Sequence, residues 1–276
     1  MFMTPDRYRK LLGEYDALIF HARAISDRLV GRTLERKFHS YSDAIYTKLI
    51  CHGISLRKLS PSLDPEQATE LWDLASGCAV ARALIEAYDA LAYIGVHQVA
   101  PEEREFRMLL WELHDQQRRL TMLNKIGSVD PRVAEINERV VELSAKLTAN
   151  AVYSKVSKEI RGKVARGEAP PIHLSQRDLN AASGINHEYY IAATMFLSQY
   201  VHTYPLSLHQ LMHFRAGEPG ALHLSSMPLQ YSMPFLAKAI EGMVEIFPEG
   251  KVEPSGEVSR VLRTWLMIAE NGVTCA

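Results

Sequence analysis

Residues 76–95 read Ser76-Gly-Cys-Ala-Val-Ala-Arg-Ala-Leu-Ile-Glu-Ala-Tyr-Asp-Ala-Leu-Ala-Tyr-Ile-Gly95. A helix this apolar on nearly every side belongs in the middle of a bundle, not on its rim. Its polar residues are not scattered: Arg82, Glu86, Asp89 and Tyr93 fall at i, i+4, i+7 and i+11, which is one helix face. A charge taken into a core must be paired or functional, because an unpaired one costs several kcal/mol (about 3–5 when a partner is removed). Two readings follow: an Arg82–Glu86 pair that pins helix register, or a polar cleft built on this face.

Working outward, helix signals are frequent and strand signals few. Asp64-Pro65-Glu66-Gln67 and Asp130-Pro131 place a capping carboxylate before a proline at the first helical position. Ala100-Pro101-Glu102-Glu103 opens a helix with acids at its positive end. From Pro131, Val133, Ile136, Val140, Leu143 and Leu147 form a seam that predicts one long helix to Arg166, packed within the chain. The only stretch suited to a strand pair is Leu222–Leu229, with Ala216–Pro228 read as a loop. The expected fold is all-α: a bundle of nine or ten helices, with Ser76–Gly95 and His187–Thr203 central. The domain reading is a main bundle over 1–215 and a C-terminal helical pair over 216–276, packed on the same domain.

The chain has 276 residues, 47% hydrophobic and 23% charged, with 31 basic against 32 acidic side chains. That balance excludes a disordered tail and argues against a broad nucleic-acid footprint, which needs a basic surplus. Cys51, Cys78 and Cys275 form no Cys-x-x-Cys, and read as reduced, two of them in the core. No signal-like run opens the chain and no uncharged apolar run is long enough to span a bilayer, so a soluble, cytoplasmic protein is expected.

Six of the eleven histidines lie between His173 and His223, where uniform scatter would put roughly two. Ser198 and His202 are four apart on one predicted helix, and His209 and His213 four apart on the next, which Pro205 opens. Arg82, Glu86, Ser198 and His202 are therefore the candidate catalytic residues: His202 as acid or base, Arg82 for developing phosphate charge, Glu86 to orient, Ser198 to bond. No Gly-x-Ser-x-Gly elbow supports Ser198 as a nucleophile. His209 and His213 are weak metal candidates, since neither His-Glu-x-x-His nor Glu-x-x-His occurs. No cofactor is expected. Leu174 to His187 superficially reads as a helix-turn-helix, yet no Lys or Arg lies between Arg177 and Arg215, so sequence-specific DNA binding is not expected.

Those residues resemble a bacterial all-helical family of unknown function whose pattern is R-x-x-x-E, F-x-R-x-x-x-W and Y-x-x-x-S-x-x-x-H before a proline. Here the corresponding residues are Arg82 and Glu86; Phe106-Arg-Met-Leu-Leu-Trp111, with Arg107 four before Trp111; and Thr194, Ser198, His202 and Pro205. Thr194 stands where the pattern has tyrosine. The resemblance spans roughly residues 40–215, implies that Arg82, Glu86, Ser198 and His202 share a site, and supplies no reaction. A more distant similarity is to the HEPN helical ribonucleases, which carry R-x(4–6)-H. Arg32…His39, Arg107…His114 and Arg166…His173 match that spacing, about as many as chance gives. Three functional classes emerge: a metal-independent hydrolase or ribonuclease with RNA as a substrate class, a non-enzymatic helical oligomerisation or partner-binding module, and a His-rich metal site using His202, His209 and His213. For the module, Met227, Pro228, Met233 and Pro234 would supply either a homodimer surface or a loop packed on its own bundle.

Overall fold

The computed structural model describes residues 3–33, 36–63 and 72–273. Among them are eleven α-helices and no strand: α1 (Pro5–Leu29), α2 (Lys37–Leu59), α3 (Leu74–Leu91), α4 (Pro101–Lys125), α5 (Arg132–Ala149), α6 (Lys158–Ala165), α7 (Gln176–Ala182), α8 (His187–Val201), α9 (Pro205–Met212), α10 (Pro219–Ile246) and α11 (Gly256–Asn271). The all-helical class is as expected, with slightly more helices than nine or ten. The chain forms two compact units, residues 1–96 with 180–276, and residues 97–179. This differs from the expected division at 215/216.

In the first unit α3 packs against α2, α8 and α10, and α10 also against α1, α2 and α11. Cys78, Ala81, Leu84, Ile85 and Leu91 of α3 meet Met233, Phe235, Leu236 and Ile240 of α10 in one core. Past Leu91 the helix widens into a π-turn, Ala92–Val96. Gly95 lies where a Cβ would stand 2.2 Å from Ser42 Oγ and 2.7 Å from Ile246 Cδ1, so only glycine lets the backbone approach α2 and α10 this closely.

Helix α10 runs straight through the segment expected to hold a loop and a strand pair. Its sequence conceals this because Pro228 and Pro234 lie inside it, and an interior proline removes a helix hydrogen bond. The carbonyl that Pro234 cannot serve belongs to Gln230, and the Tyr189 hydroxyl of α8 donates to it at 3.4 Å. Pro228, Met233 and Pro234 are buried, which removes the dimer surface proposed there. Residues 216–276 are thus integral to the first unit instead of an appended pair.

The second unit has a core of Phe106, Leu110, Leu113, Leu143, Leu147, Val156, Val164 and Ala169. The long helix expected over Pro131–Arg166 is two helices. Asn150 leaves α5 in an extended conformation, its Oδ1 accepts from Val152 N at 2.9 Å, and its Nδ2 donates to Glu102 O at 3.2 Å. Ser157 then caps α6 through Ile160 N. Two capping side chains, seven residues apart, compete successfully with helix continuation. The seam of α5 faces α4, while Lys146 and Glu142 pair at 2.6 Å on the solvated side. Asp130 Oδ1 accepts from Arg132 N at 2.9 Å from one residue before the cap, which is Pro131 itself, whereas Asp64–Gln67 and Cys275 lie outside the described residues. Of the two described cysteines, Cys78 is buried and Cys51 exposed. No helix among the described residues is long and apolar enough to cross a membrane.

Candidate functional site

Arg82 and Glu86 do meet: Nη2 lies 3.1 Å from Oε1, with the Glu86 side chain 59% exposed. Glu86 is therefore a surface partner. The buried carboxylate of α3 is Asp89, one turn on, which accepts a hydrogen bond from the Tyr190 hydroxyl at 2.7 Å. Burial and the Asp89 charge push the Tyr190 phenol up, while Arg82, which also reaches that hydroxyl, pulls it down. Arg82 Nη1 is buried without a hydrogen-bond partner. The register of the one face was thus legible, but which carboxylate turned inward was not.

Ser198 is half-buried on α8 and His202 is exposed at its C-terminal cap, its ring 5.3 Å from that of Tyr204. Among the described residues no hydrogen bond or ion pair joins either side chain to Arg82 or Glu86. His209 and His213 are exposed on and just after α9. Among the described residues no group of three or more His, Cys, Asp or Glu is placed to hold a metal ion.

The second unit, with a smaller apolar core, links its buried polar side chains to one another. Arg107, 4% exposed, donates from Nε to Glu103 Oε1 at 2.8 Å and from Nη1 to His97 Nδ1 at 3.1 Å. Since arginine only donates, His97 Nδ1 is the acceptor and its proton sits on Nε2. Burial, then Arg107 and Arg104, push His97 down to about 4. His173 Nε2 lies 3.4 Å from the same Glu103 Oε1. Its pKa is lowered by burial, with Glu103 opposing and Arg107 adding to the fall. Arg104 is brought down to about 10, by burial first and then by Arg107.

On the same α4, His114 and Gln117 hold both polar groups of one peptide residue, Ala169. His114 Nδ1 donates to Ala169 O at 2.7 Å, and Ala169 N donates to Gln117 Oε1 at 2.8 Å. A carbonyl can only accept, so the neutral His114 tautomer carries its proton on Nδ1 and keeps the Nε2 lone pair free. His114 lines a cavity of about 600 Å³ together with Arg118, Lys163, Arg166, Glu168 and Pro171. Arg166 pairs with Glu168 at 3.3 Å and Lys163 with Glu159 at 2.7 Å. Arg118 makes no ion pair among the described residues. With Lys163 and Arg166 each ion-paired, Arg118 leaves the cavity a net positive charge among the described residues.

Of the three Arg…His spacings, Arg107 and His114 serve different partners. Arg32 and His39 share a neighbour, Phe247, over whose ring Arg32 sits at 3.6 Å. No family model, no curated protein and no solved structure matches the chain.

Proposed function

We propose that the protein is a hydrolase of phosphate esters, with RNA as the substrate class, working by acid–base chemistry in the His114 cavity. The observation that carries this reading is the bond from His114 Nδ1 to Ala169 O, which orients the ring and leaves Nε2 as a base. Orientation of a catalytic imidazole by an acceptor on its far nitrogen is what makes it effective as a base. In the proposed step, Nε2 takes the proton of an attacking hydroxyl as its oxygen bonds to phosphorus. The bond from phosphorus to the leaving oxygen then breaks, and the imidazolium returns the proton to that oxygen. Arg118, Lys163 and Arg166 supply the positive charge that a phosphoryl centre gathers in the transition state.

Two test substrates suffice, a chromogenic phosphodiester and a short fluorescent RNA. H114A is expected to lower kcat/KM about 10²–10⁴-fold, and R118A with K163A to raise KM. R82A and H202A are expected to stay within about two- to threefold of the parent. The reading fails if neither substrate is turned over, or if H114A keeps full activity. It also fails if activity follows His202 and Arg82, which would return the chemistry to the α3–α8 face.

A further inference from the structure

The chain carries no Asp, Glu, Lys or Arg from Tyr189 to Phe214, which covers nearly all of α8 and the whole of α9. A charge-free run of this kind is ordinarily a core segment, yet here much of it faces solvent. Met195, Val201, Tyr204, Leu206, Leu208, Leu211 and Met212 are each between 37% and 72% exposed. Helix α9 is strapped to α8 by the Tyr200 hydroxyl, which donates to Gln210 Oε1. Only Ser207 of its residues is buried, its hydroxyl turned back to Tyr204 O. Gln210 is half-buried, and the other residues of the helix are exposed and mainly leucine and methionine.

We infer that a second copy of this chain covers this face, as an isologous pair. The first reason is charge. A two-fold contact sets a surface against itself, so any formal charge near the axis meets its own like. A face with no formal charge over its whole length satisfies that condition, and offers nothing to a partner recognised by charge. The second reason is area. The exposed side chains amount to on the order of 600 Å² per copy and about 1,200 Å² in the pair, the lower end of stable interfaces. A bilayer is the other natural home for an apolar helix, but helices that lie in the interface carry Lys or Arg on their polar face. The polar residues of α9 are Ser207, His209 and Gln210.

The test is sedimentation equilibrium of the full chain at neutral pH, from about 1 to 100 μM. The parent is expected to be a concentration-dependent dimer. L208E/M212E is expected to weaken it by about 100-fold or more, with unchanged helix content and urea midpoint. L208S/M212S, tested beside it, should weaken association in the same sense without introducing charge. V129E, at a 96% exposed valine of the second unit, should leave the dimer intact. A parent that stays monomeric throughout, or a dimer indifferent to both double variants, overturns the inference. So does a monomer that co-sediments with phosphatidylserine–phosphatidylcholine vesicles and loses them with L208E/M212E, since a bilayer would then be the occupant. None of these outcomes depends on chemistry at His114.

Discussion

The two units solve the same problem, holding helices together, with opposite materials. In the first, the π-turn after α3 lies so close to α2 and α10 that a Cβ at Gly95 would stand 2.2 Å from Ser42 Oγ and one at Gly242 2.5 Å from Val96 Cγ2. Many of its buried polar groups serve the backbone, as when the Tyr15 hydroxyl donates to Gly53 O, while Asp89 accepts from the Tyr190 hydroxyl. In the second unit a core of eight buried residues is accompanied by Arg107, His97, Glu103 and His173, joined partner to partner. Whereas the first unit buries a carboxylate, Asp89, held by the Tyr190 hydroxyl, the unit with the smaller apolar core is the one whose interior charges form a network of four side chains. Its stability should therefore answer to pH and to single polar substitutions, whereas that of the first should answer to volume.

The sharpest way to break this contrast is Arg107→Leu. It strands Glu103 without its closest donor and removes the donor to His97, and should cost the second unit about 3–5 kcal/mol. Urea unfolding followed by hydrogen exchange would show whether the loss is confined to residues 97–179. Next in size is acid sensitivity. Because His97 is held neutral in the folded state down to about 4, its contribution is complete above the unfolded value near 6.5. That contribution is lost as pH falls from there toward 4, since the unfolded chain then binds the extra proton. The expected loss is on the order of 2–3 kcal/mol. His97→Gln, which keeps an acceptor for Arg107, should flatten the urea midpoint against pH; an unchanged slope would remove His97 from the explanation.

Smaller again is Tyr189→Phe in the first unit. It deletes the donor to Gln230 O, for which about 1–2 kcal/mol is expected, with no pH dependence between 4 and 7. Smallest is Glu86→Gln: its pair with Arg82 is solvent-exposed on the carboxylate side, and a surface pair contributes about 0–1 kcal/mol. A larger effect in thermal melts would mean that Glu86 does more for Arg82 than its geometry indicates.

The parts of this fold legible in sequence are those where local chemistry and tertiary packing agree. Helix α3 announced itself through an apolar surface with polar residues on one face, and α4 through Pro101 and the acids behind it. Helix α10 was hidden because Pro228 and Pro234 obey a local rule that tertiary structure overrides: the missing donor comes from Tyr189, forty-one residues earlier. The end of α5 was written in Asn150 and Ser157, but a strong hydrophobic seam outweighed two polar side chains. The boundary at 96/97 left no mark, since neither glycine-rich linker nor charge run accompanies it. For the site, the Arg82–Glu86 spacing was readable, as helical geometry makes i and i+4 neighbours. The His114 arrangement was not, because its decisive bond spans fifty-five residues and depends on a tautomer.

The discontinuity of the first unit has a consequence for how the chain is made. Helix α3 is complete by Leu91, but its partners α8 and α10 follow only after residues 97–179 have been synthesised. On a ribosome adding about 5–20 residues per second, α3 spends several seconds with α1 and α2 as its only companions and its α10-facing side bare. The central helix of the molecule is thus its most aggregation-prone stretch during synthesis. Expression yield should respond more to chaperone supply, or to the rate of translation over residues 97–179, than to any change in the finished protein's stability.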